Sequence, residues 1–186
     1  MAGVFTIGHS TRAIEELLQL LAEHGVRVLV DVRRYPASRR HPQFSRDALA
    51  ASLAGEGIEY VHEPDLGGRR PSLPGSPHTA WRVEAFRGYA DYMATPEFRA
   101  ALERLIHRAE AAPTAILCAE AVPWRCHRRL ISDALVARGI QVLHILSPGH
   151  ASPHELDPNA RLLPGNRLLY AGPAGDQPSL FEEVPS

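Results

Sequence analysis

The run Val26-Arg27-Val28-Leu29-Val30-Asp31-Val32 constrains this chain more than any other stretch. A segment so dense in β-branched residues reads as a strand buried on both faces, and such strands belong to parallel sheets. The segments around it alternate strand with helix. Val4 to Gly8 reads as an apolar strand. A helix follows, with Ile14, Leu17, Leu18 and Leu21 at helical spacing, Ser10 or Thr11 as its cap and Gly25 at its end. Beyond a polar loop through Gln43, Ser45 opens a helix carrying Ala48, Leu49 and Leu53, and Ile58 to His62 forms a third strand. Residues Glu63 to Ala80, rich in Gly, Pro, Arg and Ser, read as a long loop. The remaining pattern predicts helices over Val83 to Met93 and Pro96 to Ala111, a strand over Thr114 to Cys118, a helix over Arg125 to Arg138 and a strand over Gln141 to Leu146.

This order predicts an α/β fold: a mostly parallel, doubly wound (Rossmann-like) sheet of about five strands with helices on both faces. Residues 1–146 are expected to form that domain. Residues 147–173 read as an irregular extension with one short strand near Arg167 to Ala171, and 174–186 as a flexible tail. The 186 residues suit one core, with hydrophobic residues at 45% and charged residues at 22%. That composition excludes a disordered chain, a collagen-like repeat and a disulfide-dense miniprotein. No stretch approaches the roughly 18 apolar residues of a membrane helix and no leader is visible, so a cytoplasmic protein without a membrane partner is expected. The two cysteines, Cys118 and Cys126, read as free thiols.

Formal net charge is -1, yet all 20 basic residues are arginine. A GC-rich genome accounts for the absence of lysine; the clustering matters more. Arg33, Arg34, Arg39 and Arg40 form one group, Arg69 and Arg70 another, and Arg125, Arg128 and Arg129 a third. Guanidinium groups suit phosphate and carboxylate. Acidic residues such as Glu15, Glu16, Glu103 and Glu110 fall on predicted helices, so a near-neutral chain can carry a basic face.

Open parallel sheets bind ligands outside the carboxyl ends of their strands. The five predicted ends deliver His9 and Ser10; Asp31, Arg33 and Arg34; His62 and Glu63; Cys118 and Glu120; His144 and Ser147. The segment Cys118 to Arg128 spans a strand end, a loop and a helix start, where backbone N–H groups would hold an anion beside Arg125 and Arg128. A cysteine there would have a lowered pKa and could act as a nucleophile, while a buried core thiol is the plainer alternative. Cys126 and His127 are adjacent, and on a helix they would point about 100° apart. No cofactor is expected. A divalent metal stays open, although seven residues separate the cysteines where zinc sites use short spacings. Asp31 and Glu120 suit acid–base or water-activating roles, or ion pairs with Arg33 and Arg128.

Several of these residues also carry a resemblance. Thr6 to Ser10, Asp31-Val32-Arg33 with Pro36 and Ser38, Leu66-Gly67-Gly68, Tyr89 to Met93, and Cys118-Ala119-Glu120 with Pro123 and Cys126-His127-Arg128 resemble the signature of the bacterial and archaeal domain-of-unknown-function 488 family. The resemblance implies a compact α/β domain and no settled activity. Val30 to Arg33 is also similar to a stretch of rhodanese-like sulfurtransferases, and the Cys118 loop is similar to that of cysteine phosphatases. Here six residues rather than five separate Cys118 from Arg125, and Pro123 removes an N–H, which counts against that chemistry.

Finally, Gln177-Pro178-Ser179-Leu180-Phe181 resembles the bacterial sliding-clamp-binding pentapeptide. It implies a clamp contact through Gln177, Ser179, Leu180 and Phe181. The leading expectation is therefore a DNA-repair hydrolase of glycosidic or phosphodiester bonds. In it Asp31 and Glu120 handle protons and water, His9, Ser10 and His127 position substrate, and Arg33, Arg34, Arg39, Arg40, Arg69, Arg70, Arg125 and Arg128 bind DNA phosphates. The alternatives are a small-molecule enzyme with Cys118 as nucleophile and a non-catalytic adaptor of DNA and clamp.

Overall fold

A computed structural model describes residues 3–172. Six strands form one sheet in the order β3-β2-β4-β1-β5-β6. They are β1 (Gly3–Gly8), β2 (Val28–Asp31), β3 (Glu59–His62), β4 (Thr114–Cys118), β5 (Gln141–Ser147) and β6 (His150–Pro153). The first five run parallel, and β6 returns antiparallel along β5. The Val-rich run lies deep in this sheet, with every residue of β2 buried.

Five helices cover both faces. The helices α1 (Ile14–Glu23) and α2 (Arg46–Gly55) place Leu17, Leu20, Leu21, Leu49 and Leu53 against Ile7, Leu29 and Leu117 on one face. On the other, α3 (Glu84–Tyr92), α4 (Pro96–Ala111) and α5 (Arg128–Val136) pack Tyr89, Phe98, Leu102, Leu105, Leu130 and Leu135 against Val4, Val30 and Ile116. The doubly wound parallel architecture is thus the one expected.

The caps differ in detail. Ala13, not Ser10 or Thr11, precedes α1, and it supplies no side-chain bond. Thr95 does cap α4, its hydroxyl accepting from Phe98 N–H. The larger difference lies after Ser147. The stretch that reads as irregular contains β6 and a hairpin of β7 (Ala160–Leu163) with β8 (Arg167–Tyr170), the latter where a short strand was expected. Its Pro, His and Asn residues mask the strand pattern, because pairing here is short and antiparallel.

A buried polar chain fastens this extension to the domain. Asp133 of α5 accepts hydrogen bonds from Tyr170 Oη (2.7 Å), His154 Nε2 (2.7 Å) and the Asp157 N–H (3.1 Å). His154 Nδ1 meets His144 Nε2 at 2.9 Å, and His144 Nδ1 meets Thr6 Oγ1 at 2.6 Å. Burial, then the neighbouring His154, hold His144 down to about 3, so it is neutral when folded and takes a proton only with difficulty.

The sign of the pH effect follows. Between pH 6.5 and about 3 the unfolded chain binds the His144 proton that the folded chain refuses, so stability falls as pH falls through that window. His144 alone should cost about 2 kcal/mol on going from pH 7 to pH 5. Urea midpoints at the two pH values check this, with His144→Asn expected to lose less than the wild type. Equal pH sensitivity of the two proteins would refute it.

Candidate active site

The chain reverses direction across the sheet at β2, β4 and β1. Their ends feed loops to opposite faces, with the loops after β1 and β2 leading to α1 and α2 while that after β4 leads to α5. Such a reversal opens a crevice at the carboxyl edge. A cleft of about 550 Å³ lies there, lined by His9, Arg33, Arg34, Arg39, Arg40, Arg69, Cys118, Glu120, Arg125, Cys126 and His127 among others. Ends β1, β2 and β4 therefore converge, as expected. The ends of β3 and β5 do not: Glu63 pairs with Arg104 (2.7 Å), His62 Nε2 meets Arg33 O (2.8 Å), and His144 lies in the chain described above.

The floor of the cleft is built by the β4 loop. His9 N–H and Ser10 N–H extend the β1–β4 ladder to Cys118 O (3.0 Å) and Ala119 O (2.9 Å). The loop then crosses directly over Gly8, where a Cβ would sit 1.7 Å from Glu120 O. Glycine is therefore required at that place. Pro123 starts a 3-10 turn over Pro123–Arg125, and Cys126 is extended, with φ −130° and ψ 149°. The helix begins only at Arg128, so the helical argument separating Cys126 from His127 does not apply. Both line the cleft, with Cys126 Sγ 3.5 Å from His127 Nδ1.

Arg128 has no exposure to solvent. Its NH1 donates to Cys118 Sγ at 3.2 Å and its NH2 to Ala121 O at 3.1 Å, and no carboxylate pairs with it among the described residues. Arginine cannot give up its proton, and an isolated buried charge costs several kcal/mol. The group it contacts that is able to carry a counter-charge is the Cys118 thiol. Cys126 completes the arrangement, its S–H donating to Cys118 Sγ across 2.7 Å. Burial pushes the Cys118 thiol up, but the Cys126 hydrogen bond and the Arg128 charge outweigh it and leave the thiol below its ordinary value. The same hydrogen bond, with burial, holds Cys126 well above its own, so Cys126 keeps the proton.

His127 lies beside this pair. Its Nε2 meets Val32 O at 3.2 Å, which only accepts, so Nε2 carries the proton and Nδ1 presents a lone pair toward Cys126. Burial lowers His127 to about 4, so the ring is neutral. Gly68 makes room for it, since a Cβ there would lie 3.0 Å from Nδ1. His9 is neutral as well, lowered first by burial; its Nδ1 donates to Ser10 O, and Nε2 faces Arg33 NH1 at 3.4 Å.

The other expected residues divide sharply. Asp31 is fully buried and accepts from Arg33 Nε (2.9 Å), Arg33 NH2 (2.7 Å) and Tyr60 Oη (2.6 Å), which leaves it no free face for water. Arg33 is occupied by that carboxylate and by Phe44 O. Arg70 stacks 3.8 Å from the Tyr92 ring and does not line the cleft, and Ser10 does not line it either. Arg34 donates to Arg69 O. In contrast, Arg39, Arg40, Arg69 and Arg125 are exposed on the cleft wall with no side-chain partner among the described residues. Glu120, also exposed there and unpaired, is the one carboxylate of the lining. Sequence reasoning missed Cys126 as the thiolate's donor and Arg128 as its counter-ion, because both roles depend on the turn before α5. No group of three or more His, Cys, Asp or Glu among the described residues is placed to hold a metal ion.

Residues 13–135 match the sequence profile described as Domain of unknown function DUF488, more than half of the chain. The chain belongs to that family. No curated protein and no solved structure matches it. The DUF488 match takes in the whole Cys118 to Arg128 segment, whereas Thr6 to Ser10 lies ahead of it. No helix of the described residues is long and apolar enough to cross a membrane.

The Arg128–Cys118 contact in the floor of this DUF488 domain makes a direct prediction. Iodoacetamide should label Cys118 with a pH midpoint below the ordinary thiol value of about 8.5. Arg128→Met should raise that midpoint and slow labelling at pH 7 by about tenfold or more. An unchanged rate in the variant would show that Arg128 does not hold a thiolate.

Proposed function

We propose that this protein is an enzyme that attacks a phosphate-bearing substrate, with nucleic acid as the favoured class, through the Cys118 thiolate. The observation that carries the reading is the buried Arg128 guanidinium, which among the described residues has no carboxylate partner and donates to Cys118 Sγ. A thiolate stabilised at the floor of a cleft is a nucleophile prepared before substrate arrives. The four unpaired arginines of the wall supply sites for phosphate oxygens.

In the first step the Cys118 sulfur bonds to the electrophilic centre and the bond to the leaving group breaks. The proton on Cys126 was held there chiefly by the negative sulfur beside it. Once that charge is consumed, the Cys126 proton is free to pass to the leaving group or to His127 Nδ1. In the second step water attacks the same centre, the thiolate departs, and Glu120 or His127 takes the water's proton. Asp31 acts at one remove, holding Arg33 against His9.

A single comparison tests the chemistry. Turnover of a nucleic-acid substrate should vanish on Cys118→Ser and on iodoacetamide treatment, and fall in Glu120→Gln. Turnover that survives the loss of Cys118 but not of Glu120 would transfer the reaction to direct water attack. Arg39→Ala with Arg40→Ala should weaken binding most at low salt and flatten its salt dependence.

The pentapeptide Gln177 to Phe181 lies outside the described residues, and its sequence supports recruitment of this enzyme to a DNA sliding clamp. Fluorescence anisotropy of purified clamp should show micromolar or tighter binding that Phe181→Ala abolishes. No binding by the full chain would remove replication from the reading.

A further inference from the structure

The two thiols stand closer than nucleophilic chemistry needs. Cys118 Sγ and Cys126 Sγ are 2.7 Å apart, both line the cleft, and both are otherwise buried, at 2% and 5% exposure. The cleft that both sulfurs line has a volume of about 550 Å³, room for a small solute beside them. Arg128 favours ionisation of Cys118 while Cys126 keeps its proton, the division of roles that an attacking and a resolving thiol require.

We infer that Cys118 and Cys126 form a reversible dithiol–disulfide centre that hydroperoxides oxidise and small thiols restore. The inference rests on the Cys118 thiolate described above. In the first step the Cys118 thiolate attacks the terminal oxygen of a hydroperoxide. A sulfur–oxygen bond forms, the oxygen–oxygen bond breaks, and the alkoxide or hydroxide leaves and takes a proton from solvent. Cys118 is then a sulfenic acid, oxidised by two electrons while the peroxide is reduced to alcohol or water. In the second step the Cys126 sulfur displaces hydroxide from that sulfur, with its proton going to His127 Nδ1 and on to the leaving hydroxide. Water departs and the disulfide closes.

The surroundings also set how labile the product is. Closing the disulfide consumes the thiolate and leaves the Arg128 guanidinium buried without a counter-charge. The reduced form is the favoured one, so the bond is easily opened by thiols. The centre is thus a brake on its own active site: oxidation withdraws the nucleophile and reduction returns it. Cys126 also protects Cys118 from further oxidation, because closure competes with a second peroxide.

The test uses the full chain. The protein is treated with hydrogen peroxide, unfolded in an alkylating solution and weighed intact. The expected product has lost both alkylatable thiols together with two hydrogens, and millimolar glutathione returns both. In Cys126→Ser, Cys118 should instead be trapped by dimedone as sulfenic acid, then overoxidised. Retention of both free thiols in the wild type, or a gain of two oxygens at Cys118 with Cys126 still alkylatable, would overturn the inference. Because the wild-type measurement needs no variant, misfolding of a mutant cannot decide it. The iodoacetamide rate of the reduced protein separates the two claims: fast labelling without disulfide formation would leave the nucleophile standing and remove the switch.

Discussion

A guanidinium with no exposure to water and no carboxylate is the constraint around which this site is arranged. Had Arg128 been paired with an acid, Cys118 would be one more buried thiol at the end of a strand. Instead, the charge must be met by whatever the loop can offer, and it offers sulfur and the carbonyl of Ala121. The Nε of Arg128 finds no partner at all. Such a shortfall costs stability, and in the proposed function an ionised Cys118 offsets it.

The helix that carries Arg128 is held at two points along its length. Its first residue reaches the sulfur, and five residues on, Asp133 collects Tyr170, His154 and Asp157. Strand β8 and the segment after β6 therefore brace the element that positions the guanidinium, though none of their side chains lines the cleft. Tyr170 extends the brace to the other side, its N–H donating to His78 Nδ1 and its carbonyl accepting from Ala80 N–H. Packing that looks peripheral in the chain order thus fixes the geometry of the reacting pair.

Much of the fold was legible in the sequence, and the reason is periodicity. The run around Val28–Asp31, the leucines of α1 and the Thr95-capped α4 each declare their state through spacing alone. Strand β7 does not, because a four-residue antiparallel strand with mixed burial leaves no such pattern. At the site, residue type pointed to the correct edge but could not sort its arginines. Arg33, Arg70 and Arg128 look like Arg39, Arg40 and Arg125 in a sequence. What separates them is the company each keeps: a carboxylate, a tyrosine ring and a sulfur for the first three, and open cleft wall for the others.

The same distinction explains why a basic cleft and an activated sulfur occur together here. Arginines that face solvent attract an anionic substrate from a distance, but their field at the floor is weakened by water. Arg128, desolvated, acts on Cys118 with less screening by water. In the proposed function, recruitment and activation therefore fall to different arginines of one loop region. Arg125 projects into the mouth and Arg128 lies beneath it, three residues apart, divided by the extended Cys126 that breaks the turn from the helix. Had the helix begun at Arg125, as the pattern suggested, Cys126 and His127 would point apart. The short turn started by Pro123 is what allows one segment to carry both a guanidinium on the cleft wall and a guanidinium buried against Cys118.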